Sequence, residues 1–171
     1  MIFKENSTTK VCNFYVNNWH LLTTLFPYLN KNMSKNTQII TMLENNLETY
    51  AKTLVEKIIL NNRDKEKILN VNWCQTEIED ENFTMNFKKY LQKNKELILI
   101  VNGSNEYIKY TNSIITNLIK KKEISIKNIK IINCFDISNE DINMTEILSD
   151  HKSVLNTVGE ITVEEFGKKI I

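Results

Sequence analysis

Glycine and proline are scarce in this chain, with three Gly and one Pro in 171 residues. Gly103, Gly159 and Gly167 are isolated from one another. A loop that wraps phosphates needs several glycines, so that backbone N–H groups can close around the anion, and a Lys to meet its charge. The turn at Asn102-Gly103-Ser104, which leaves an apolar run, offers one Gly and no Lys. Cysteine is also sparse. The three Cys are far apart and odd in number, which argues against a disulfide framework, and no Cys-x-x-Cys spacing marks a zinc site. No apolar run approaches the roughly 20 residues that cross a bilayer. The first ten residues contain no signal-peptide hydrophobic region. A reducing cytoplasm is the compartment these absences suggest. Neither charge sign dominates: 22 Lys and Arg face 21 Asp and Glu, for a net charge of +1. General attraction to nucleic acid or to acidic membranes is therefore not expected. No Gly-x-Ser-x-Gly elbow is present, which removes one common hydrolase signature.

What remains is a pattern of alternating strands and helices. Val11 to Val16 is rich in strand formers, and Asn17-Asn18 stops it and can cap a helix. Leu21, Leu22, Leu25, Phe26 and Leu29 then recur at helical spacing, with Pro27 expected to kink or shorten the helix. Thr37 to Leu43 reads as a second strand. Leu47, Tyr50, Ala51, Leu54, Val55, Ile58 and Ile59 give an amphipathic helix, and polar Asn61 to Lys67 ends it. Ile68 to Trp73 reads as a short third strand. Phe83, Phe87, Tyr90 and Leu91 mark another helix. Leu97 to Val101 is a continuous apolar run, the signature of a strand buried on both faces. A helix follows through Tyr107, Ile108, Thr111, Ile114, Ile115 and Leu118, closed by Lys120-Lys121-Lys122 at its negative end. Ile129 to Asn133 is the next strand, Met144 to Leu148 a short helix, Val154 to Val158 a last strand, and Val163 to Ile170 a terminal helix. This alternation predicts one α/β domain: three layers, a mostly parallel sheet and helices on both faces.

In such sheets ligands bind at the carboxyl ends of the strands. The residues expected there include Tyr15, Asn17, Trp19, His20, Glu44, Trp73, Cys74, Asn102, Ser104, Cys134, Phe135 and Asp136. This rim suits a small, partly apolar molecule better than a phosphate. Each member also has an ordinary structural role. Asp136 and Glu44 could pair as acid and base, or simply cap helices. Cys12, Cys74 and Cys134 could act as buried hydrophobes. Trp73 could belong to the core, and His20 could be a surface or capping residue.

Several segments together resemble a known family. The opening Val11-Cys12-Asn13-Phe14-Tyr15, the following helix with Pro27, and Thr37-Gln38-Ile39-Ile40 are similar to the start of MEDS domains (methanogen/methylotroph DcmR sensory domains). Ile131-Ile132-Asn133-Cys134-Phe135-Asp136 resembles that family's Cys-Tyr-Asp strand end, and Ile147 to Leu155 its Leu-x-x-x-His-Pro-x-Val segment. Ile100-Val101-Asn102-Gly103 fits its fourth strand. Lys10 stands where the family often has His, Phe135 replaces Tyr, and Lys152 replaces Pro. The resemblance implies a RecA/KaiC-like, P-loop-like core without a Walker A loop, and a sensory role toward small hydrocarbon derivatives. It matches Cys134, Asp136 and His151 to family positions and supplies no catalytic residues.

The expected function is a sensory or regulatory module that binds a small, partly apolar ligand and signals through a regulatory protein partner. The candidate ligand-binding set is Tyr15, Trp73, Asn102, Cys134, Phe135, Asp136 and His151, converging on one rim. No cofactor, metal, nucleic acid or membrane is expected; a homodimer is compatible with the sequence. Two alternatives are a ligand-free protein-interaction module and a small enzyme using Cys134 or Asp136 with His151.

Overall fold

Apolar side chains alternate with one another along the central strands, so both faces of the sheet must be covered. The computed structural model describes residues 7–79, 81–93, 96–120, 128–139 and 141–170. Its strands are β1 (Ser7–Tyr15), β2 (Thr37–Leu43), β3 (Glu96–Asn102), β4 (Asn128–Asp136), β5 (Ser153–Asn156) and β6 (Gly159–Thr162). They form one sheet in the order β2-β3-β4-β1-β5-β6. The first five are parallel, and β6 pairs antiparallel to β5. Helices α1 (Asn18–Asn32), α2 (Glu48–Lys57) and α3 (Asn62–Leu69) cover one face, here the front. Helices α4 (Glu81–Lys93), α5 (Asn105–Lys120), α6 (Met144–Ser149) and α7 (Val163–Ile170) cover the back. The architecture is a three-layer α/β fold.

Side-chain parity assigns residues to the two cores. Val11, Tyr15, Leu43, Ile98, Ile100, Ile132, Cys134 and Leu155 meet α1 to α3 in front. Cys12, Phe14, Met42, Leu97, Leu99, Val101, Ile131, Phe135 and Val154 meet α4 to α7 behind. The chain leaves β1 by α1 on the front and leaves β3 and β4 by α5 and α6 on the back. The topological switch point therefore lies at the carboxyl ends of the neighbouring strands β1 and β4.

Four expectations need correction. Ile68 to Trp73 is not a strand; α3 occupies Asn62–Leu69 and a loop follows. The Asn61 side chain accepts a hydrogen bond from the Asp64 N–H at 2.8 Å, which starts the helix. The loop then runs along the outer edge of β2: Thr41 Oγ1 donates to the Asn72 carbonyl, and Thr76 N–H donates to the Leu43 carbonyl at 2.9 Å. This covers part of an otherwise open strand edge. Pro27 does not shorten α1, which continues to Asn32. Both Pro27 and Thr23, one turn earlier, are exposed, so water can serve the carbonyl that Pro27 leaves without a donor. Ile59 lies past the end of α2 and is fully exposed, while Leu47, Ala51 and Val55 supply the buried contacts and Leu54 and Ile58 are half-buried. The strand expected over Val154 to Val158 is β5, which ends at Asn156, and exposed Val158 sits at the tip of a hairpin closed by the Asn156–Gly159 pair. Gly159 has φ +125°, which a side chain would disfavour. Thr157-Val158 carries no turn signature, so β6 left little trace in the sequence. Lys121, Lys122 and the Leu91 side chain lie outside the described residues.

Gly103 and Gly167 test this packing from opposite directions. A Cβ on Gly103 would meet Tyr107 Cδ1 at 2.6 Å and Glu44 Cβ at 2.8 Å, whereas one on Gly167 would meet nothing within 4 Å. Gly103→Ala should cost about 1–3 kcal/mol by overpacking. Gly167→Ala, inside α7, should gain about 0.5–1 kcal/mol. Urea denaturation midpoints read both; equal effects would contradict the placement of β3, β2 and α5.

Candidate functional site

The carboxyl-end rim is occupied by the protein's own groups. Only Val16 and Asn17 separate β1 from α1. The Asn17 side chain accepts from the His20 N–H at 2.9 Å, its carbonyl accepts from Leu21 N–H at 3.0 Å, and Val16 N–H donates to His20 Nδ1 at 3.2 Å. Ile137 N–H donates to the Tyr15 carbonyl at 2.9 Å and so carries the β1–β4 ladder one residue past the end of β4. At the start of α5 the Glu44 carboxylate takes the Ser104 N–H at 2.9 Å and faces its hydroxyl at 3.3 Å. The Ser104 hydroxyl in turn accepts from Tyr107 N–H at 3.1 Å. A carboxylate at this positive helix end takes the place an external anion would need. Asp136 behaves similarly: its Oδ1 accepts from the Ser138 N–H at 2.9 Å and from the Ser138 hydroxyl at 2.6 Å.

The seven candidate ligand-binding residues do not share one site. Tyr15 and Asn102 do meet on the front: Asn102 Nδ2 donates to the Tyr15 hydroxyl at 2.6 Å across β4. Cys134 is the register partner of Asn102 and Asp136 that of Tyr15, so these four gather at one rim. Burial pushes the Tyr15 phenol up to about 12. Trp73 belongs to the front core, where it packs on Phe26 with ring centroids 5.4 Å apart and donates Nε1–H to the Ile68 carbonyl at 2.9 Å. Phe135 and His151 lie on the back. Their rings meet edge-to-face at 5.9 Å, with the sheet between them and Asn102. The expected convergence of His151 with Asn102 is thus incorrect, because Asn133, which His151 contacts, points away from the face Cys134 points to.

The cysteines separate in the same way. Cys12 faces the back core, Cys134 the front core, and half-buried Cys74 lies on the loop beside α2. Burial raises the Cys12 thiol to about 12 and raises Cys134 further. Cys74 Sγ donates to Glu48 Oε2 at 2.7 Å, a hydrogen bond that favours the protonated thiol. Among the described residues no group of three or more His, Cys, Asp or Glu is placed to hold a metal ion.

A concavity of about 700 Å³ lies behind the sheet, between α5 and α6. Because α6 has six residues and α5 sixteen, the short helix leaves the face of its neighbour uncovered. One wall carries Asn105, Lys109, Asn112, Thr116, Asn117 and Lys120 at helical spacing, and the other carries Asn143, Glu146 and Asp150. Ile108, Ile147 and Phe135 supply the apolar part. At the floor, Asn133 is 2% exposed and fully engaged. Its Oδ1 accepts from Asn112 Nδ2 at 2.8 Å, and its Nδ2 donates to Asn112 Oδ1 at 3.1 Å and to His151 Nε2 at 3.0 Å. Asn112 also donates to the Ile108 carbonyl at 2.8 Å. His151 Nδ1 lies 2.6 Å from the Ile147 carbonyl, an acceptor, which puts a proton on Nδ1, and the Asn133 NH₂ group facing Nε2 fits the neutral ring. Burial holds this imidazole below its ordinary 6.5.

Sequence reasoning reached Phe135 and His151 but missed Asn112 and Asn133. The available signal was Asn133 itself, an amide within the apolar run Ile131 to Phe135. A polar side chain there has to find buried partners. No family model, curated protein or solved structure matches the chain.

The thiol assignments predict a chemical titration. The folded protein should release about one equivalent of thiol to an aromatic disulfide reagent, from Cys74, and about three after denaturation. Rapid release of all three from folded protein would contradict the burial of Cys12 and Cys134.

Proposed function

We propose that this protein is a non-catalytic sensory or regulatory module that binds a small, partly apolar molecule in the α5–α6 cleft and signals through a partner protein. The observation that carries the reading is the cleft itself. Its volume of about 700 Å³ falls in the range of ligand sites, and it combines an apolar base with hydrogen-bonding walls and an ordered amide floor. The reading agrees with the MEDS resemblance in function class and moves the binding site from the strand ends to the back face. The three-layer α/β fold is compatible with the core that resemblance implies, and the strand-end turns at Asn17 and Glu44 are used for capping.

Catalysis is the weaker reading. The Cys134 thiol is fully buried and resists ionisation. Both His151 nitrogens are engaged, and Asp136 and Glu44 accept hydrogen bonds from turn and helix-start groups. A base must reach a substrate proton, and these groups are already committed. A protein-interaction role without ligand is favoured by one observation: Val16, Trp19 and Ile137 are exposed apolar side chains around the switch point.

Native mass spectrometry of protein purified from its source tests the proposal. The wild type should carry a bound small molecule, and Ser113→Trp and Thr116→Trp, which fill the exposed α5 wall, should lose it without loss of thermal stability. Ligand retained by both variants would place binding elsewhere. Protein that is ligand-free and whose melting is unmoved by a metabolite library would overturn the reading in favour of a pure interaction module. Calorimetry with Mg-ATP should give no heat; binding at about micromolar affinity would contradict the account of the strand-end turns.

A further inference from the structure

We propose that α6 is a proton-released lid on the α5–α6 cleft, latched to the cleft floor by neutral His151 and freed when that ring takes up a proton. The proposal concerns regulation of the site proposed above and rests on that reading only for its consequence, not for the latch itself.

Helix α6 is lightly held. Of its six residues only Ile147 is buried, with Met144 and Leu148 half-buried beside it. Thr145, Glu146 and Ser149 face solvent. The Lys109–Glu146 pair that reaches across the cleft is long, at 4.0 Å, with both side chains largely exposed, so it adds little. Two polar connections tie α6 to the sheet: the Lys10–Asp150 pair, whose Asp150 end is well exposed, and the inner one through His151, from the Ile147 carbonyl to Nδ1–H, then Nε2 to the Asn133 amide, and on to Asn112 of α5.

This network tolerates only one protonation state. Each of its ends is a backbone carbonyl, Ile147 on α6 and Ile108 on α5, and carbonyls only accept. A proton on Nε2 would face the NH₂ group of Asn133. Turning the Asn133 amide over would offer its oxygen to the ring but set its NH₂ against that of Asn112. Turning Asn112 as well would set its oxygen against the Ile108 carbonyl. Every arrangement leaves a mismatched pair in a half-buried or buried setting, where the loss is not recovered from water. The charged ring is therefore accommodated by leaving the network and reaching solvent, and α6 moves with it because Ile147 is its hydrogen-bond partner.

The charges around His151 do not alter this direction. Lys10 on β1 and Asp150 at the end of α6 pair with each other at 3.0 Å, and they act on the ring in opposite senses. Lys109 on α5 and Asp141 and Glu146 on the other wall complete the set lining the cleft. Burial is the leading influence on the ring and lowers its proton affinity in the closed form. The open form, with His151 in water, binds the proton more tightly. Linkage then shifts the balance toward opening as pH falls below the ordinary 6.5, and the closed form predominates above it.

Amide hydrogen exchange on the intact protein tests the lid, with rates corrected for intrinsic pH dependence. Between about pH 8 and about pH 5, protection of Met144 to His151 should fall at least about fivefold, while that of Ile108 to Thr116 in α5 stays constant. Nitrogen shifts of the His151 ring should report the Nδ1–H tautomer at the upper end and a titration midpoint below 6.5 that coincides with the loss of α6 protection. His151→Gln, which can offer an acceptor to Asn133 but cannot take a proton, should show α6 protection independent of pH. The lid is overturned by α6 protection that stays constant in the wild type, by equal losses in α5 and α6, or by a ring that titrates at or above its ordinary value. Because no ligand is needed, these outcomes are separate from success or failure of the ligand search.

Discussion

The alternation of side chains along β4 is the constraint from which the rest of this structure follows. β4 is an interior strand, hydrogen-bonded to β3 on one side and β1 on the other, so its side chains have only the two faces to choose between. Ile132, Cys134 and Asp136 go forward; Ile131, Asn133 and Phe135 go back. Shifting that register by one residue would place Asn133 beneath α1 to α3, away from Asn112 and His151. It would also separate Cys134 from the Tyr15–Asn102 pair. The strand thus commits a buried amide to the back face, and the helices behind the sheet supply its partners. The cleft exists where α6 is too short to cover what α5 presents.

The same economy of loops explains what the strand ends do not do. A turn that binds phosphate needs amides free to point outward and a backbone free of Cβ atoms. Here the β1–α1 turn is two residues long and capped by Asn17. The β3–α5 turn does contain Gly103, but the space a side chain would fill is already taken by Tyr107 and Glu44. That glycine serves close packing between a strand end and its neighbours. The negative charge that favours a helix start is supplied from within by Glu44.

Much of this was legible in the sequence. Apolar runs and helical spacing located β1 to β4, α1, α2, α5, α6 and α7, because each buries a continuous stripe against the sheet. Three errors have physical causes. Ile68 to Trp73 carried strand-like residues, but the cap at Asn61 and the tertiary demand of Trp73 for the Phe26 pocket drew the segment into helix and loop. The β5–β6 hairpin turns through Thr157-Val158, with Gly159 as its sole marker. His151 was set at the rim by the strand-end rule and its match to a family position, while the deciding fact, which face the α6 crossover takes, depends on topology. That a polar Asn sat in an apolar strand was visible; that its partner would be Asn112, 21 residues earlier, was not.

We propose the α5–α6 cleft, rather than the strand-end rim, as the place where a small molecule meets this protein. Two-dimensional NMR of the protein against a library of small, partly apolar amides and alcohols tests this most directly. The predicted result is a set of shifts centred on the side-chain amides of Asn112, Asn117 and Asn133 and on the His151 ring, with Asn102 unmoved. Shifts centred on Asn102, Tyr15 and Asp136, with the back face silent, would contradict it.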